Sequence, residues 1–127
     1  MSSINQFSNF FSFIQNGYLI KKNKISIPFS QKILNLLDLL TYEGFLKGYQ
    51  ILENKKKINI FLKYYQKQPS LKKIIQVSKP SKRVYIKNKF LKKNSSEFLI
   101  LSTNQGFLSY NDAKKKNIGG ELVCKIL

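Results

Sequence analysis

The spacing of apolar residues changes along this chain, and that change limits the possible folds more than any other feature. Near the start, apolar side chains recur at steps of three and four residues. These residues are Ile4, Phe7, Phe10 or Phe11, and Ile14. The spacing predicts an amphipathic helix, capped by Ser2 or Ser3 and ending at Asn16-Gly17. The next segment, residues 24–28, alternates polar and β-branched residues and closes with a proline, which predicts a short strand.

A second helix and a hairpin are predicted to follow. Ser30 is a suitable N-cap, and the apolar residues after it share one face of a helix that ends at Tyr42-Glu43-Gly44. Those apolar residues are Ile33, Leu34, Leu37 and Leu40. Residues 45–52 and 57–65 have strand-like composition and flank the polar turn 53–56, so they predict a β-hairpin. The first module is therefore helix, strand, helix, hairpin.

The second half of the chain has mostly strand-like segments, and a polar stretch at residues 66–73 separates it from the first half. The predicted elements are strands at 74–78, 84–86, 98–101, 107–109 and 121–127, a turn at 102–106, and a short helix at 111–116 capped by Asn111 or Asp112. The fold class is predicted to be α+β. It comprises an N-terminal α/β module at residues 1–66 and a mostly β module with one short helix at residues 67–127.

The titratable residues exclude most enzymatic and metal-binding functions. The chain of 127 residues has no histidine and one cysteine, Cys124. It therefore lacks a Cys/His zinc site, a Cys–His dyad and a Ser–His–Asp triad. Its six carboxylates show no acid–base or metal-binding spacing, and no glycine-rich phosphate motif is present. No segment approaches the roughly 18 uninterrupted apolar residues of a membrane-spanning helix, so we expect no cofactor, small-molecule substrate or membrane partner.

The charge of the chain points to a polyanionic partner. Lys and Arg number 23 against 6 Asp and Glu, which gives a net charge of +17. Such an imbalance favours polyanion binding over a merely solvated surface. Tyr85 lies beside Arg83 and Lys87, and residues 102–104 place short polar side chains in a predicted turn, a combination that suits irregular RNA. The same residues are also compatible with a half-buried strand tyrosine and an ordinary hairpin turn.

Several short motifs occur in a fixed order along almost the whole chain. They are Ile14-Gln15-Asn16-Gly17, Ile25-Ser26-Ile27-Pro28-Phe29-Ser30 with Lys32, Glu43-Gly44-Phe45, Leu62-Lys63-Tyr64, the segment from Val77 to Tyr85, Ser102-Thr103-Asn104-Gln105-Gly106-Phe107-Leu108, Asp112-Ala113, and Ile118-Gly119-Gly120-Glu121-Leu122. Together they resemble the motifs of the universal small-subunit ribosomal protein eight family, bacterial and organellar branch. No single match is specific to the family, but the order and spacing of the matches are.

The resemblance implies a non-enzymatic protein that binds the central domain of small-subunit rRNA, chiefly through its C-terminal module, beside neighbouring ribosomal proteins. The residues that it assigns to rRNA binding are Ser102, Thr103, Asn104, Gly106, Tyr85, Arg83, Lys82, Lys79, Gly119, Gly120, Glu121, Ser30 and Lys32. Gly106 and Gly119 are expected to leave room for RNA. The chain departs from the family pattern at Asn104, which we expect to alter recognition, and at Gln15, which we expect to remove a phosphate contact.

Two other functional classes fit parts of the composition. An extraribosomal RNA- or DNA-binding protein would use the same lysines without a defined site. A peripheral membrane protein would use the uncharged, Phe-rich start of the chain, although that segment lacks the lysines that an interfacial helix needs. Competition with a structured RNA distinguishes the first class from a ribosomal protein, and liposome flotation without RNA tests the second.

Residue usage indicates an AT-rich gene. Arg83 is the only arginine, and Lys, Asn, Ile, Phe and Tyr are abundant; the codons of these abundant residues are rich in A and T. The family start aligns with Met1, and the first residues lack the charges of a presequence. These features predict a protein of the mitochondrial matrix ribosome. A plastid and the cytoplasm of an AT-rich bacterium are the alternatives.

Overall fold

The computed structural model describes residues 3–52, 56–78, 82–86 and 98–127. The first elements are α1 (Ser3–Leu19), β1 (Lys24–Pro28), α2 (Gln31–Tyr42), β2 (Leu46–Ile51), β3 (Lys57–Leu62), β4 (Tyr64–Tyr65) and β5 (Gln68–Pro69). They are followed by β6 (Ile74–Gln76), β7 (Tyr85–Ile86), β8 (Phe98–Thr103), β9 (Gly106–Ser109), α3 (Tyr110–Lys115) and β10 (Gly120–Ile126). This mixture of helices and sheets confirms the predicted α+β class. Ser2 and most of the predicted turn 53–56 lie outside the described residues.

The longer strands form one sheet in each half of the chain. The N-terminal sheet has the order β1-β3-β2, and β2 and β3 form the predicted antiparallel hairpin with Gln50 opposite Asn59. The C-terminal sheet has the order β6-β10-β8-β9, and β7 also pairs with β10. The last strand of the chain is thus central in its sheet, since it pairs with β8 along one edge and with β6 and β7 along the other.

Helix α1 continues past the predicted end at Asn16-Gly17, so that prediction was wrong. A Cβ atom on Gly17 would lie 2.8 Å from Cγ2 of Ile25. The glycine therefore allows α1 to pack closely against β1 and does not end the helix. The helix ends instead at Leu19, and Lys21, two residues later, has a left-handed φ of 57°. The Lys22 N–H donates to the Gly17 carbonyl oxygen at 2.9 Å, as in a Schellman motif with lysine at the position that glycine usually takes.

The second strand of the predicted hairpin is shorter than residues 57–65, because β3 ends at Leu62. Tyr64 and Tyr65 pair instead with Pro69 and Gln68 in a separate two-stranded ladder. The predicted polar boundary at residues 66–73 therefore contains a strand. The division of the chain into modules 1–66 and 67–127 stays a prediction.

Helix α3 begins earlier than predicted, because its N-cap is Ser109 and neither Asn111 nor Asp112. The Ser109 hydroxyl oxygen accepts a hydrogen bond from the Asp112 N–H at 3.2 Å. Asp112 lies in the first turn of the helix, where a negative charge interacts favourably with the helix dipole. The helix is followed by Asn117, which has a left-handed φ of 56°.

A shared apolar core joins helices and strands from both halves of the chain. Ile14 of α1, Leu37 of α2, Ile60 of β3 and Ile100 of β8 are fully buried members of this cluster, together with Cys124 of β10. Burial of such side chains is the main source of folding free energy. Among the described residues, no helix is long and apolar enough to cross a membrane.

Candidate nucleic-acid interface

Four strands of the C-terminal sheet align residues that lie far apart in the sequence. Glu121 of β10 is opposite Tyr85 of β7 on one side and Ser102 of β8 on the other. Ser102 is in turn opposite Phe107 of β9. Opposite residues in antiparallel strands project from the same face of a sheet. Tyr85, Glu121, Ser102 and Phe107 therefore form one line, which we call the cross-strand row.

Only the Tyr85 end of the cross-strand row is exposed to solvent. The Tyr85 side chain is 66% exposed, whereas Glu121 and Ser102 are half-buried. At the other end, Phe107 packs edge-on against Phe7 of α1, with ring centroids 5.6 Å apart. The core therefore anchors one end of the row and leaves an aromatic ring open at the other. Such a row can offer a nucleobase both a stacking surface and short polar side chains.

The hairpin between β8 and β9 is tighter than the predicted turn at residues 102–106. Ser102 and Thr103 belong to β8 and Gly106 to β9, which leaves Asn104 and Gln105 in the turn. The Thr103 hydroxyl donates to the Gly106 carbonyl oxygen at 2.8 Å and accepts from the Gln105 N–H at 3.1 Å. Thr103 therefore stabilises residues 103–106, which we call the hairpin tip. Asn104 is exposed at its end.

Two glycines shape this surface for different reasons. Gly106 has a φ of +99°, a conformation that favours glycine. Among the described residues, apart from its chain neighbours, none has an atom within 4 Å of a Cβ placed there. By contrast, a Cβ on Gly120 would lie 2.5 Å from the Ser102 carbonyl oxygen and 2.9 Å from Cγ2 of Thr103. Only glycine at position 120 allows β10 to begin this close to β8. Gly119, the other predicted site glycine, is half-buried.

A cavity of about 180 Å³ lies beside the cross-strand row. Its lining residues are Phe7, Lys32, Ser78, Ser102, Phe107, Glu121 and Val123. Glu121 has a buried Oε2 that lacks a hydrogen-bond partner among the described residues. A buried acceptor without a donor is energetically costly, so this atom suits a donor group of a ligand. Lys32 adds a cation from α2 to the same cavity.

Ser78 holds this site together, a role that the sequence analysis missed. The residue is buried. Its hydroxyl donates to the Leu122 carbonyl oxygen at 2.7 Å and accepts from the Val84 N–H at 2.9 Å. These bonds fix the segment before β7 against β10, and thereby keep Tyr85 beside Glu121. The available sequence signal was the position of this serine in the motif that ends at Tyr85.

Ser30 lies away from the cross-strand row. Its hydroxyl oxygen accepts from the Ile33 N–H at 3.5 Å, which confirms it as the N-cap of α2. It lines a separate apolar groove of about 170 Å³ between α1 and β1. Gln15 is also part of the fold, since its Nε2 donates to the Ile74 carbonyl oxygen at 2.8 Å. An RNA contact by Ser30 stays a prediction.

The predicted cations near β7 are placed only in part. Lys82 and Arg83 are exposed immediately before β7, where they can reach phosphates around Tyr85. Lys79 lies outside the described residues. Within the described part of the chain, no group of three or more Cys, Asp or Glu side chains is arranged to hold a metal ion. The exposed cations before β7 therefore suit the surface around Tyr85 to an anionic partner.

Comparison with known proteins identifies the family. Residues 5–127 match the family model described as Ribosomal protein S8. The small ribosomal subunit protein uS8 of Brucella anthropi is 38% identical over 118 residues, which cover 89% of each chain. The corresponding proteins of Hyphomonas neptunium and Brucella ovis are each 40% identical, over 117 and 118 residues, again with 89% of both chains covered. The chain thus belongs to the ribosomal protein S8 family, a family of structural proteins without enzymatic activity.

Proposed function

We propose that this chain is a structural constituent of the small ribosomal subunit that binds the central domain of small-subunit rRNA through the cross-strand row and the hairpin tip. Membership of the S8 family supports a non-enzymatic role in the ribosome, with rRNA and other ribosomal proteins as partners. The geometry of the C-terminal sheet supports the assignment of rRNA binding to this particular surface.

The observation that supports this surface most strongly is the buried Oε2 of Glu121, which has no hydrogen-bond partner among the described residues. A carboxylate in a chain with a net charge of +17 would ordinarily be expected to pair with a lysine. Glu121 also lines the cavity beside Ser102, and its carboxylate can accept a hydrogen bond from a base amino group or a ribose hydroxyl that enters this cavity. The flanking Tyr85 offers a ring for stacking.

The other site residues fall into two roles. Ser102 and Asn104 present short polar groups to bases, while Thr103, Gly106 and Gly120 set the shape of the tip. Exposed cations supply phosphate contacts that do not depend on sequence. These cations are Lys32, Lys82 and Arg83, with Lys79 assigned by resemblance alone. Phosphate contacts position a protein on RNA, and base contacts select the site.

The test is a binding comparison at physiological salt between the central-domain rRNA helix and a base-paired scramble of equal length. We expect the purified chain to prefer the cognate helix by about tenfold to a thousandfold. Ser102→Ala and Glu121→Gln should abolish most of this preference while leaving affinity for the scramble unchanged. Ser26→Ala, at an exposed serine of β1, is the matched control. Equal affinity of the wild-type chain for both RNAs would instead refute a selective rRNA site and favour lysine-driven binding to any polyanion, as in the extraribosomal alternative.

We propose further that the ribosome concerned is mitochondrial. The single arginine and the abundance of Lys, Asn, Ile, Phe and Tyr support an AT-rich organellar gene, while the relatives described above are bacterial. Sequencing of purified organellar DNA from the source organism tests this directly. The gene should map to the mitochondrial genome, and a position in plastid or bacterial DNA would refute the assignment.

A further inference from the structure

A second concentration of cations lies in the N-terminal half, around an open cavity of about 370 Å³. Its lining residues are Lys21, Asn23, Tyr64 and Lys67. None of them lines the cavity beside the cross-strand row. The two surfaces therefore consist of different residues, contributed by different elements of the fold.

Unusual backbone conformations converge at this cavity. Lys21, Gln66 and Lys67 all have left-handed φ angles, of 57°, 50° and 65°. Gln66 and Lys67 form the two-residue turn between β4 and β5, where Asn-Gly is the usual pair. Long side chains are disfavoured in this conformation. Strained backbone of this kind is found preferentially where a functional contact needs a particular side chain.

The elements around the cavity hold these conformations in place. The Tyr64 hydroxyl donates to the Lys22 carbonyl oxygen at 2.6 Å, and burial raises the pKa of Tyr64, so this donor stays protonated. The Tyr64 ring also meets the Tyr18 ring edge-on, with centroids 5.4 Å apart. Tyr18 is buried, and its hydroxyl donates to the Phe45 carbonyl oxygen at 2.7 Å. The lysines thus project from a rigid base.

The chain segments that line this cavity carry charge of a single sign. No carboxylate occurs among residues 1–37 or 54–96. Segments 21–24 and 63–73 contribute exposed lysines, namely Lys21, Lys22, Lys24, Lys63, Lys67, Lys72 and Lys73. Adjacent cations without carboxylates repel one another, and bound phosphates relieve that repulsion.

An exposed aromatic ring adds a second kind of contact. Tyr65 directly precedes the strained turn, and its side chain is 71% exposed. Aromatic rings beside cations are the usual means by which proteins bind unpaired nucleotides, because a base stacks on the ring while lysines contact the backbone. An acidic protein would be held by the lysines without need of this ring.

We propose that Lys21, Tyr64, Tyr65 and Lys67 form a second RNA-binding surface, which holds the phosphates of an unpaired rRNA segment and stacks a base on Tyr65. The inference rests on the proposed function, since it takes rRNA as the ligand. It adds to that function a contact that is independent of the cross-strand row. The protein would thereby contact its RNA at two places. The second contact would require RNA beyond the helix bound by the C-terminal sheet.

The experiment measures the affinity of the full chain for a transcript of the whole central domain and for the isolated central-domain helix. The double variant Lys21→Gln/Lys67→Gln should lower affinity for the whole domain by about tenfold and reduce the slope of log affinity against log salt by roughly 1.5. Tyr65→Ala should lower the same affinity by about fivefold or more. Neither change should alter binding to the isolated helix.

Matched controls separate this surface from general charge and exposure. Lys47→Gln/Lys57→Gln removes the same charge from exposed lysines of β2 and β3, and Tyr42→Ala removes a tyrosine that is 84% exposed. Both should change affinity by less than about threefold. Lys67→Gly should raise the melting temperature by relieving the left-handed lysine, yet weaken binding of the whole domain.

Each outcome decides the inference. Unchanged affinity of the Lys21/Lys67 variant for the whole domain would overturn it, and so would an equal loss in the Lys47/Lys57 control. If either result overturns the second surface but the Ser102→Ala variant still loses its preference for the cognate helix, the proposed function survives. If the wild-type chain shows no preference for the cognate helix, the proposed function itself fails.

Discussion

Replacing Gly120 with alanine tests whether the close approach of β10 to β8 builds the cross-strand row. The new Cβ would lie 2.5 Å from the Ser102 carbonyl oxygen, whereas ordinary contacts of a Cβ begin near 3.4 Å. The obstructing atom belongs to the backbone, so no side-chain rotation can relieve the clash. The two strands would have to separate locally by about 0.9 Å, and Glu121 would move away from Ser102.

The magnitude follows from the cost of forcing extra atoms into a packed site, which is about 1–3 kcal/mol. A backbone obstruction places this substitution in the upper part of that range. Alanine also lowers the entropy of the unfolded chain, which stabilises the folded state by about 0.4–1 kcal/mol. We therefore expect Gly120→Ala to lower the free energy of unfolding by about 2 kcal/mol.

Gly48→Ala is the matched control, because no described residue other than its chain neighbours has an atom within 4 Å of the Cβ position at Gly48 in β2. It should leave the free energy of unfolding unchanged or raise it by up to about 1 kcal/mol. Urea unfolding followed by circular dichroism measures both variants, and filter binding measures their affinity for the central-domain helix. Equal unfolding midpoints for Gly120→Ala and wild type would show that β10 and β8 are not held at this distance.

Three further predictions concern the core. Ile14→Ala should cost about 2–5 kcal/mol of unfolding free energy, because Ile14 is fully buried, whereas Leu19→Ala at an exposed site should change it by less than about 0.5 kcal/mol. Ser78→Ala should cost about 1–3 kcal/mol in urea unfolding, because it leaves the Val84 N–H without its acceptor. Burial raises the pKa of Cys124, so this thiol should resist a thiol reagent at pH 8 until urea is added. The free energy of unfolding should decline as pH rises above about 8.5, because the thiol then ionises in the unfolded chain and stays protonated in the folded one.

Local patterns in the sequence were sufficient to predict most elements. The Ser30 cap of α2 is confirmed, and so is most of its apolar face, although Leu36 is fully buried and the predicted Leu34 only half-buried. Caps and amphipathic faces depend on neighbouring residues. Glycine was harder to interpret. The sequence around Gly17 predicts a helix end, whereas in the structure this glycine provides space for Ile25 of β1. A close tertiary approach and a chain reversal require the same residue type, so the residue alone does not distinguish them.

The candidate site was predicted residue by residue, but its assembly was not. Tyr85, Ser102 and Glu121 were each named from motifs, whereas Ser78 received no role. The hydroxyl of Ser78 joins the segments before β7 and within β10. A buried serine of this kind has no local pattern in the sequence, because its partners lie 6 and 44 residues away.

The sequence by itself determined the chemistry of this protein. A net charge of +17 favours a polyanionic partner, and a chain with no histidine and one cysteine lacks the residues of most catalytic sites. These properties follow from composition and do not depend on the fold. Tertiary structure alone decided that the last strand lies between β7 and β8 and thereby aligns Tyr85, Glu121 and Ser102. Strand order depends on long-range pairing, and the free energy that stabilises such pairing comes from contacts between residues distant in the chain. It also decided that Lys21 and Lys67 meet at one cavity, since their separation in sequence gives no sign of it.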